Sequence, residues 1–183
     1  MATAKTGSFY LTETITLPLA SVNGARVQGV IDLGAYVSVA QGLAIAVESV
    51  DFIYQRGSTN AMGASAYLAG NGTISCQLTD LNPGTVFVRA DNQSLVASGA
   101  LNIDQANNIT SMSNDLYPDN FGPAALSEAF MVVNDSLYLV AGPDNAAVGT
   151  QAVSVTVRAR VRVVKLGTKD WMAIAIQSTA SDN

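Results

Sequence analysis

The chain has 183 residues, of which 13% are charged and none is histidine, and its formal net charge at pH 7 is −5. Charged residues make up about a quarter of an average globular protein, so this shortage suits a surface that is largely buried against copies of itself. Without histidine, a Ser-His-Asp triad, a Cys-His pair and an HExxH zinc site are all excluded.

The first third of the chain is predicted to consist of strands. Residues 9–19 alternate between apolar and polar side chains, as a strand with one buried face does. Residues 27–39 form a second extended run, in which Gly29 and Gly34 are candidate bulges. Residues 43–54 are apolar on both faces, which is typical of a strand in the middle of a two-layer sandwich.

The middle of the chain is predicted to be less regular. A strand over residues 67–78 is followed by a hairpin that pairs residues 85–90 with residues 94–101. Residues 102–120 are rich in Asn and Asp and are expected to form a long polar connection. A helix is predicted over residues 123–131, where a proline precedes Ala, Leu and Glu.

The last third contains the most regular pattern in the sequence. After a strand over residues 136–141, residues 153–163 alternate strictly between apolar and polar side chains, which predicts a long strand. Residues 168–179 are consistent with a short helix capped by Thr168. A strand over residues 171–176 is the competing prediction.

About eight strands with one or two short helices predict an all-β fold, an antiparallel two-sheet sandwich with the strand count of a jelly roll. The whole chain, residues 1–183, is expected to be one domain, with its core strands in 8–166 and a C-terminal tail in 167–183. We find no signal peptide in the first sixteen residues and no apolar run long enough to span a membrane, so synthesis in the cytoplasm is expected.

The candidate functional residues are Arg158, Arg160 and Arg162, which share one face of the predicted long strand. Three guanidinium groups along one face repel one another and call for carboxylates or phosphates nearby. Carboxylates of a neighbouring strand or of another subunit are favoured because residues 1–157 hold twelve acidic and only four basic side chains. Lipid head groups, nucleic acid or plain solvent are the alternatives. We therefore predict a subunit-interface or anion-contact role for these arginines.

Other candidate sites are weaker. Glu48 and Asp51 are the nearest pair of carboxylates for a glycosidase, but their odd spacing predicts opposite strand faces and exposure to solvent. Cys76 is the only cysteine, and its apolar neighbours predict a buried, inert thiol. The loop over residues 114–120 has oxygen ligands that suit Ca²⁺, but it lacks the ligand order and the glycine of an EF-hand, so ordinary loop solvation is the favoured explanation. These ligands are Asn114, Asp115, Asp119 and Asn120.

The chain has no basic N-terminal arm, since Lys5 is the only charged residue among the first twelve. With its few charges, its missing histidine and its large polar loops, it resembles the small single jelly-roll major capsid proteins of tailless icosahedral viruses with an internal membrane. These viruses infect archaea or thermophilic bacteria. The resemblance covers architecture and composition over residues 8–166. It implies upright subunits in capsomers over a lipid vesicle, often beside a second capsid protein, with no cofactor and no catalytic residue.

The sequence thus predicts a structural virion protein rather than an enzyme, a capsid subunit whose main partners are copies of itself. Direct sequence-specific binding of nucleic acid is not expected, because no cluster of basic residues forms an arm. The alternative is a carbohydrate- or cell-binding sandwich, such as a fibre tip or an adhesin. Sugars stack on exposed aromatic rings, for which Tyr117 and Phe121 in the polar connection are the candidates.

Overall fold

The computed structural model describes residues 2–64, 66–114 and 129–179. This part of the chain forms ten strands and one helix. They are β1 (Thr3–Ala4), β2 (Phe9–Leu17), β3 (Val27–Asp32), β4 (Leu43–Arg56), β5 (Gly72–Thr79), β6 (Leu95–Asp104), β7 (Ile109–Asn114), β8 (Phe130–Val132), β9 (Ser136–Asp144), β10 (Val153–Lys165) and α1 (Thr168–Thr179).

Eight of these strands form a rolled-up hairpin. Leaving aside the short β1 and the outer β7, the first strand pairs with the eighth (β2 with β10) and the second with the seventh (β3 with β9). The third pairs with the sixth (β4 with β8), and the fourth pairs with the fifth (β5 with β6). The resulting sheets have the orders β2-β10-β4-β8 and β3-β9-β5-β6, which is the winding of a jelly roll. The predicted all-β sandwich is confirmed.

The core lies between the two sheets and follows the predicted alternation of β10. The odd-numbered residues from Val153 to Val161 are fully buried between the sheets, while the even-numbered arginines lie on the outer face. Each buried valine contributes about 1.5–3 kcal/mol relative to an exposed one. These odd-numbered residues are Val153, Val155, Val157, Ala159 and Val161. Cys76 lies in the same core with 1% of its surface exposed, as predicted.

A bulge in β4 changes which of its residues face the core. The register with β10 shifts between Arg160 and Val161, so that Glu48 is an extra residue without a partner in the ladder. Before this bulge the odd-numbered residues of β4 lie in the core, and after it the even-numbered residues do. These core residues are Ile45 and Val47 before it and Phe52 and Tyr54 after it.

The second predicted strand is too long, and its predicted bulges are wrong. β3 ends at Asp32, because the chain then turns and the N–H groups of Tyr36 and Val37 donate to the carbonyl of Leu33. Gly29 pairs in β3 without a register shift. A Cβ atom at Gly29 would lie 2.5 Å from Cγ2 of Ile15, so this glycine allows a close approach of β2.

The predicted strand over residues 85–90 is wrong as well. This segment has no ladder of its own, and the side chain of Gln77 in β5 holds it instead. The Gln77 amide donates to the carbonyl of Val88 at 3.0 Å and accepts from its N–H at 2.8 Å. One side chain thus satisfies both backbone groups of Val88, as a neighbouring strand would.

Gln77→Ala is expected to lower the free energy of unfolding by about 1–2 kcal/mol, because it leaves two half-buried backbone groups without a partner. It should also speed amide hydrogen exchange in residues 82–90, which mass spectrometry of peptides would measure. The matched control is Gln41→Ala, since Gln41 is exposed. Unchanged exchange in this segment of the Gln77 variant would contradict the assigned role.

The long polar connection over residues 102–120 is only partly a loop. β6 continues to Asp104, and β7 returns beside it over residues 109–114 as a hairpin. The segment is mostly small and polar apart from Ile109 and Met112, and it forms a strand because it pairs along the edge of β6. The predicted helix over 123–131 lies mostly outside the described residues, and residues 130–132 belong to β8 instead.

The C-terminal helix is confirmed, and the competing strand is wrong. The N–H of Trp171 donates to the carbonyl of Gly167 at 2.9 Å, which makes Gly167 the N-cap rather than Thr168. α1 packs with Trp171, Ile174 and Ala175 on the outer face of the β10 sheet. Among the described residues, no helix combines the length and the apolar character that crossing a bilayer requires.

Candidate functional site

The three arginines predicted from the sequence lie on the outer face of the β10 sheet. β10 has β4 along one edge and β2 along the other, so its outward side chains stand in the middle of this face. Arg160 and Arg162 converge on one carboxylate, whereas Arg158 does not take part in this cluster. The structure therefore divides the arginines into a pair and a single residue.

The shared carboxylate is that of Glu48. Its Oε2 accepts from Nε of Arg160 at 2.9 Å, and its Oε1 forms an ion pair with the second guanidinium, that of Arg162. The hydroxyl of Ser8 donates to Oε2 at 2.7 Å. Only 3% of the Glu48 side chain is exposed, against 43% for Arg160 and 31% for Arg162.

This position corrects the prediction for Glu48. The bulge puts Glu48 on the same sheet face as Asp51, because Asp51 pairs in register with Arg158 and Glu48 contacts the other arginines of that row. Glu48 is buried rather than exposed to solvent. For Arg160 and Arg162, the observed partner is the carboxylate of a neighbouring strand, which was one of the predicted alternatives.

The electrostatics of Glu48 favour its charged form. Burial by itself raises the pKa of this carboxyl, but the hydrogen bonds from Ser8 and Arg160 and the charge of Arg162 outweigh it. The pKa of Glu48 is therefore below its ordinary value. The Glu48 carboxylate is thus charged, and Ser8, Arg160 and Arg162 engage both of its oxygens.

The cluster ties together three parts of the chain. Glu48 belongs to β4, the two arginines belong to β10, and Ser8 lies between β1 and β2. Arg162 also donates to the Ser8 hydroxyl at 3.2 Å, and the hydroxyl of Thr6 accepts from the N–H of Val163 at 3.0 Å. The chemistry of this site is therefore structural, since it fastens the N-terminal segment to the sheet.

Arg158 has a different environment. Its guanidinium lies over the ring of Tyr10, 4.8 Å from the centroid, on the side of β10 that faces β2. Its register partner on the other side is Asp51, whose side chain is exposed. Within the described ranges, the side chains of Asp51 and Arg158 make no hydrogen bond or ion pair, and the Arg158 guanidinium has the ring of Tyr10 beneath it.

The cation site predicted over residues 114–120 falls outside the described residues, apart from Asn114 at the end of β7. Tyr117 and Phe121, the candidates for stacking on a sugar, lie outside them too. In the part of the chain that the structure covers, no three Cys, Asp or Glu residues are grouped closely enough to hold a metal ion.

Sequence reasoning missed Glu48 as the partner of the arginines. The signal was present, because Glu48 is the only charged residue between Leu43 and Val50 in an otherwise apolar run. A charge inside such a run needs a partner, and the arginine row needs a carboxylate. The bulge that joins them, however, leaves no mark in the pattern of the sequence.

No protein-family model matches the sequence, and no curated protein matches it. Two solved structures that align with this chain are titled turnip yellow mosaic virus and Desmodium yellow mottle tymovirus. The first is 8% identical with a TM-score of 0.31, and the match covers 90% of this chain and 86% of that one. The second is 8% identical with a TM-score of 0.28, covering 90% of this chain and 87% of that one. Similarity at this level does not bear on function.

Proposed function

We propose that the chain is a structural virion protein, a capsid subunit that assembles with copies of itself into an icosahedral shell. The observation that carries this proposal is the part of the outer face of β2, β10 and β4 that lies beside α1 and that the described residues leave exposed, which we call the open face. Its twelve residues are exposed or half-buried. They are Tyr10, Thr12, Thr14, Thr16, Ser49, Asp51, Ile53, Gln55, Ser154, Thr156, Arg158 and Arg160.

The composition of the open face is mixed. It contains tyrosine and arginine, which are enriched at protein interfaces, and it lacks lysine and glutamate, which are depleted there, but it also contains serine and aspartate, which are depleted as well. Only 13% of all residues in the sequence are charged, which suits a shell subunit because neighbouring subunits cover much of its surface.

The jelly-roll winding narrows the choice of function. Viral capsid proteins, lectin domains and cupins all use this fold. Cupins generally hold their metal through histidine, which this sequence lacks, and a buried, ion-paired Glu48 offers no catalytic carboxylate. We therefore propose a non-enzymatic protein that needs no cofactor. We also propose that the subunits form capsomers, that a second capsid protein takes part in the shell and that an internal membrane lies beneath it. The proposed location of the protein is the virion.

Purified full-length protein is expected to form assemblies of many copies. Negative-stain electron microscopy and light scattering at low and high salt would measure their size and number of subunits. A protein that stays monomeric at high concentration in every salt condition contradicts the proposal. Binding to a glycan array by such a monomer would favour the carbohydrate-binding alternative instead.

A further inference from the structure

We infer that one corner of the molecule docks on the surface of an anionic lipid bilayer. This surface, which we call the basic corner, consists of Lys5, Lys165, Lys169, Met172 and Ile176. The inference rests on the proposed function, since it assigns the residues through which a subunit contacts the membrane beneath the shell. The basic corner is separate from the open face, because α1 covers the end of the β10 sheet and the open face lies beyond it.

The first observation is that α1 is apolar on two opposite faces. One face packs on the β10 sheet, as described above. Residues three and four positions apart share a helix face, so the opposite face displays Lys169, Met172, Ala173 and Ile176, all of which are exposed. Met172 is 55% exposed and Ile176 is 63% exposed. A helix on a protein surface normally turns a polar face to water, so this apolar stripe is suited to a partner.

An apolar groove continues the stripe. It has a volume of about 500 Å³ and lies between the first turn of α1 and the turn over residues 39–42. Val39, which is 69% exposed, lies on one side of the groove, and Trp171 and Met172 lie on the other. Lys165 lines the same groove. The apolar surface is therefore wider than one helix face, and a lysine stands at its border.

The second observation is where the chain places its lysines. The sequence has three lysines, and all three are exposed at this corner. The N–H of Lys5 donates at 2.8 Å to the carbonyl of Val163, close to Lys165 at the end of β10. Lys169 follows in the first turn of α1. Residues 158–179 hold five basic side chains and one acidic side chain, that of Asp170, although the net charge of the chain is −5.

The type of these residues distinguishes a bilayer from a second copy of the chain as the partner. Lysine is depleted at protein–protein interfaces, where arginine is enriched. Lysine beside exposed apolar side chains is typical of a helix that lies in the membrane interface. There the long stem follows the apolar surface while the ammonium group stays among the head groups. The positive charge of the basic corner complements anionic head groups, and each lysine strengthens binding to them by about fivefold.

The basic corner binds weakly in a single chain, because few apolar side chains enter the bilayer. A shell presents the same corner many times, and the individual contacts then add up. The measurement on single chains therefore extends to millimolar lipid.

Vesicle binding by the full-length protein tests the inference. Trp171 is the only tryptophan in the sequence and borders the groove, so its fluorescence reports on this corner. The vesicles contain phosphatidylcholine with brominated acyl chains, which quench tryptophan only at close range, either alone or mixed with phosphatidylglycerol. We expect quenching by the anionic vesicles and binding at least about tenfold weaker to the neutral ones.

Two double variants separate the contributions of charge and of apolar surface. Lys165→Gln with Lys169→Gln should weaken binding to anionic vesicles by about twentyfold and leave binding to neutral vesicles unchanged. Met172→Ser with Ile176→Ser should weaken binding to both kinds of vesicle by about tenfold or more, because less apolar surface enters the bilayer.

Matched controls remove the same kinds of side chain elsewhere on the surface. Arg89→Gln with Arg158→Gln removes two exposed positive charges. Leu19→Ser with Val22→Ser removes two exposed apolar side chains between β2 and β3. Both controls should bind vesicles like the wild type. Circular dichroism and the midpoint of thermal unfolding would establish that all four variants are folded.

The outcomes separate this inference from the proposed function, because assembly is measured without lipid. If the wild type assembles but binds neither kind of vesicle, or if both corner variants bind like the wild type, the membrane contact is wrong and the capsid role stands. Binding through this corner by a protein that stays monomeric supports the membrane contact and contradicts the capsid role. If the accessibility of Trp171 to acrylamide falls with protein concentration and vesicles do not bind, a second copy covers the corner and the inference fails.

Discussion

Replacing Glu48 with Gln is expected to lower the free energy of unfolding by about 3 kcal/mol. Glutamine keeps the shape of the side chain but removes the charge that balances Arg160 and Arg162. Breaking a buried ion pair by removing one partner costs about 3–5 kcal/mol. The lower end applies because water still reaches the two guanidinium groups, of which 43% and 31% are exposed.

Chemical denaturation followed by tryptophan fluorescence and circular dichroism would measure this loss. The control is Asp91→Asn, which removes a carboxylate from the exposed pair with Arg89 and should change stability by less than about 0.5 kcal/mol. Equal effects of the two substitutions would show that the Glu48 cluster does not stabilise the fold. Looser attachment of residues 2–8, seen as faster hydrogen exchange, should accompany the Glu48 variant because Ser8 loses its charged acceptor.

The same cluster predicts a pH dependence. The pKa of Glu48 in the folded protein lies below the ordinary value of 4.5, so its contribution to stability is present above that value. The contribution is lost as the pH falls from about 4.5 through the folded pKa. The difference in stability between wild type and Glu48→Gln should therefore shrink in this window. Asp104 also has a lowered pKa, mainly because of the side chain of Asn107, but it is present in both proteins and cancels. A difference that stays constant down to acid pH would contradict this explanation.

Replacing Gly142 with Ala is expected to destabilise the protein by about 3 kcal/mol, although only one methyl group is added. The chain between β2 and β3 crosses β9 at this glycine, and a Cβ atom there would overlap the carbonyl oxygen of Ala25 and lie 2.9 Å from Cδ of Arg26. Arg26 cannot easily move, because it forms an ion pair with Asp144 and donates to the carbonyl of Pro143 at 3.1 Å. The added methyl group must therefore displace backbone.

Gly63→Ala is the control for this substitution, since nothing lies within 4 Å of a Cβ atom at that position. It should leave the midpoint of urea unfolding unchanged or raise it slightly, because alanine restricts the unfolded chain. Similar midpoints for the Gly142 and Gly63 variants would show that the chain crossing β9 can shift to make room for the methyl group. The close approach at Gly142 would then not contribute to the free energy of unfolding.

The contrast between β10 and β4 shows what can be predicted from a pattern. The alternation in residues 153–163 depends only on the two-residue repeat of a strand, so its burial was predicted correctly position by position. β4 was correctly predicted as a buried strand, but its bulge exchanges the two faces at Glu48. The bulge depends on how β4 pairs with β10, a strand that lies about a hundred residues further along the chain.

The candidate site, too, could be predicted only in part from the local pattern. The arginine row was found because three like charges on one strand face require partners nearby, and this requirement is visible in the sequence. The partner itself was not found, because Glu48 approaches the row only through the bulge. The separate environment of Arg158 depends on Tyr10, which β2 brings beside β10 from the other end of the chain.

The sequence alone thus determined the all-β class, the long strand β10, the C-terminal helix and the position of the three arginines on one face of β10. These features arise from local repeats, composition and chain length, which a single segment carries within itself. Only the tertiary structure decided the winding of the jelly roll, the pairing of Glu48 with two of the arginines, and the open face that displays Arg158 beside Asp51. Register and sheet order result from packing between distant segments, where small differences in free energy choose among many pairings that the local pattern allows equally.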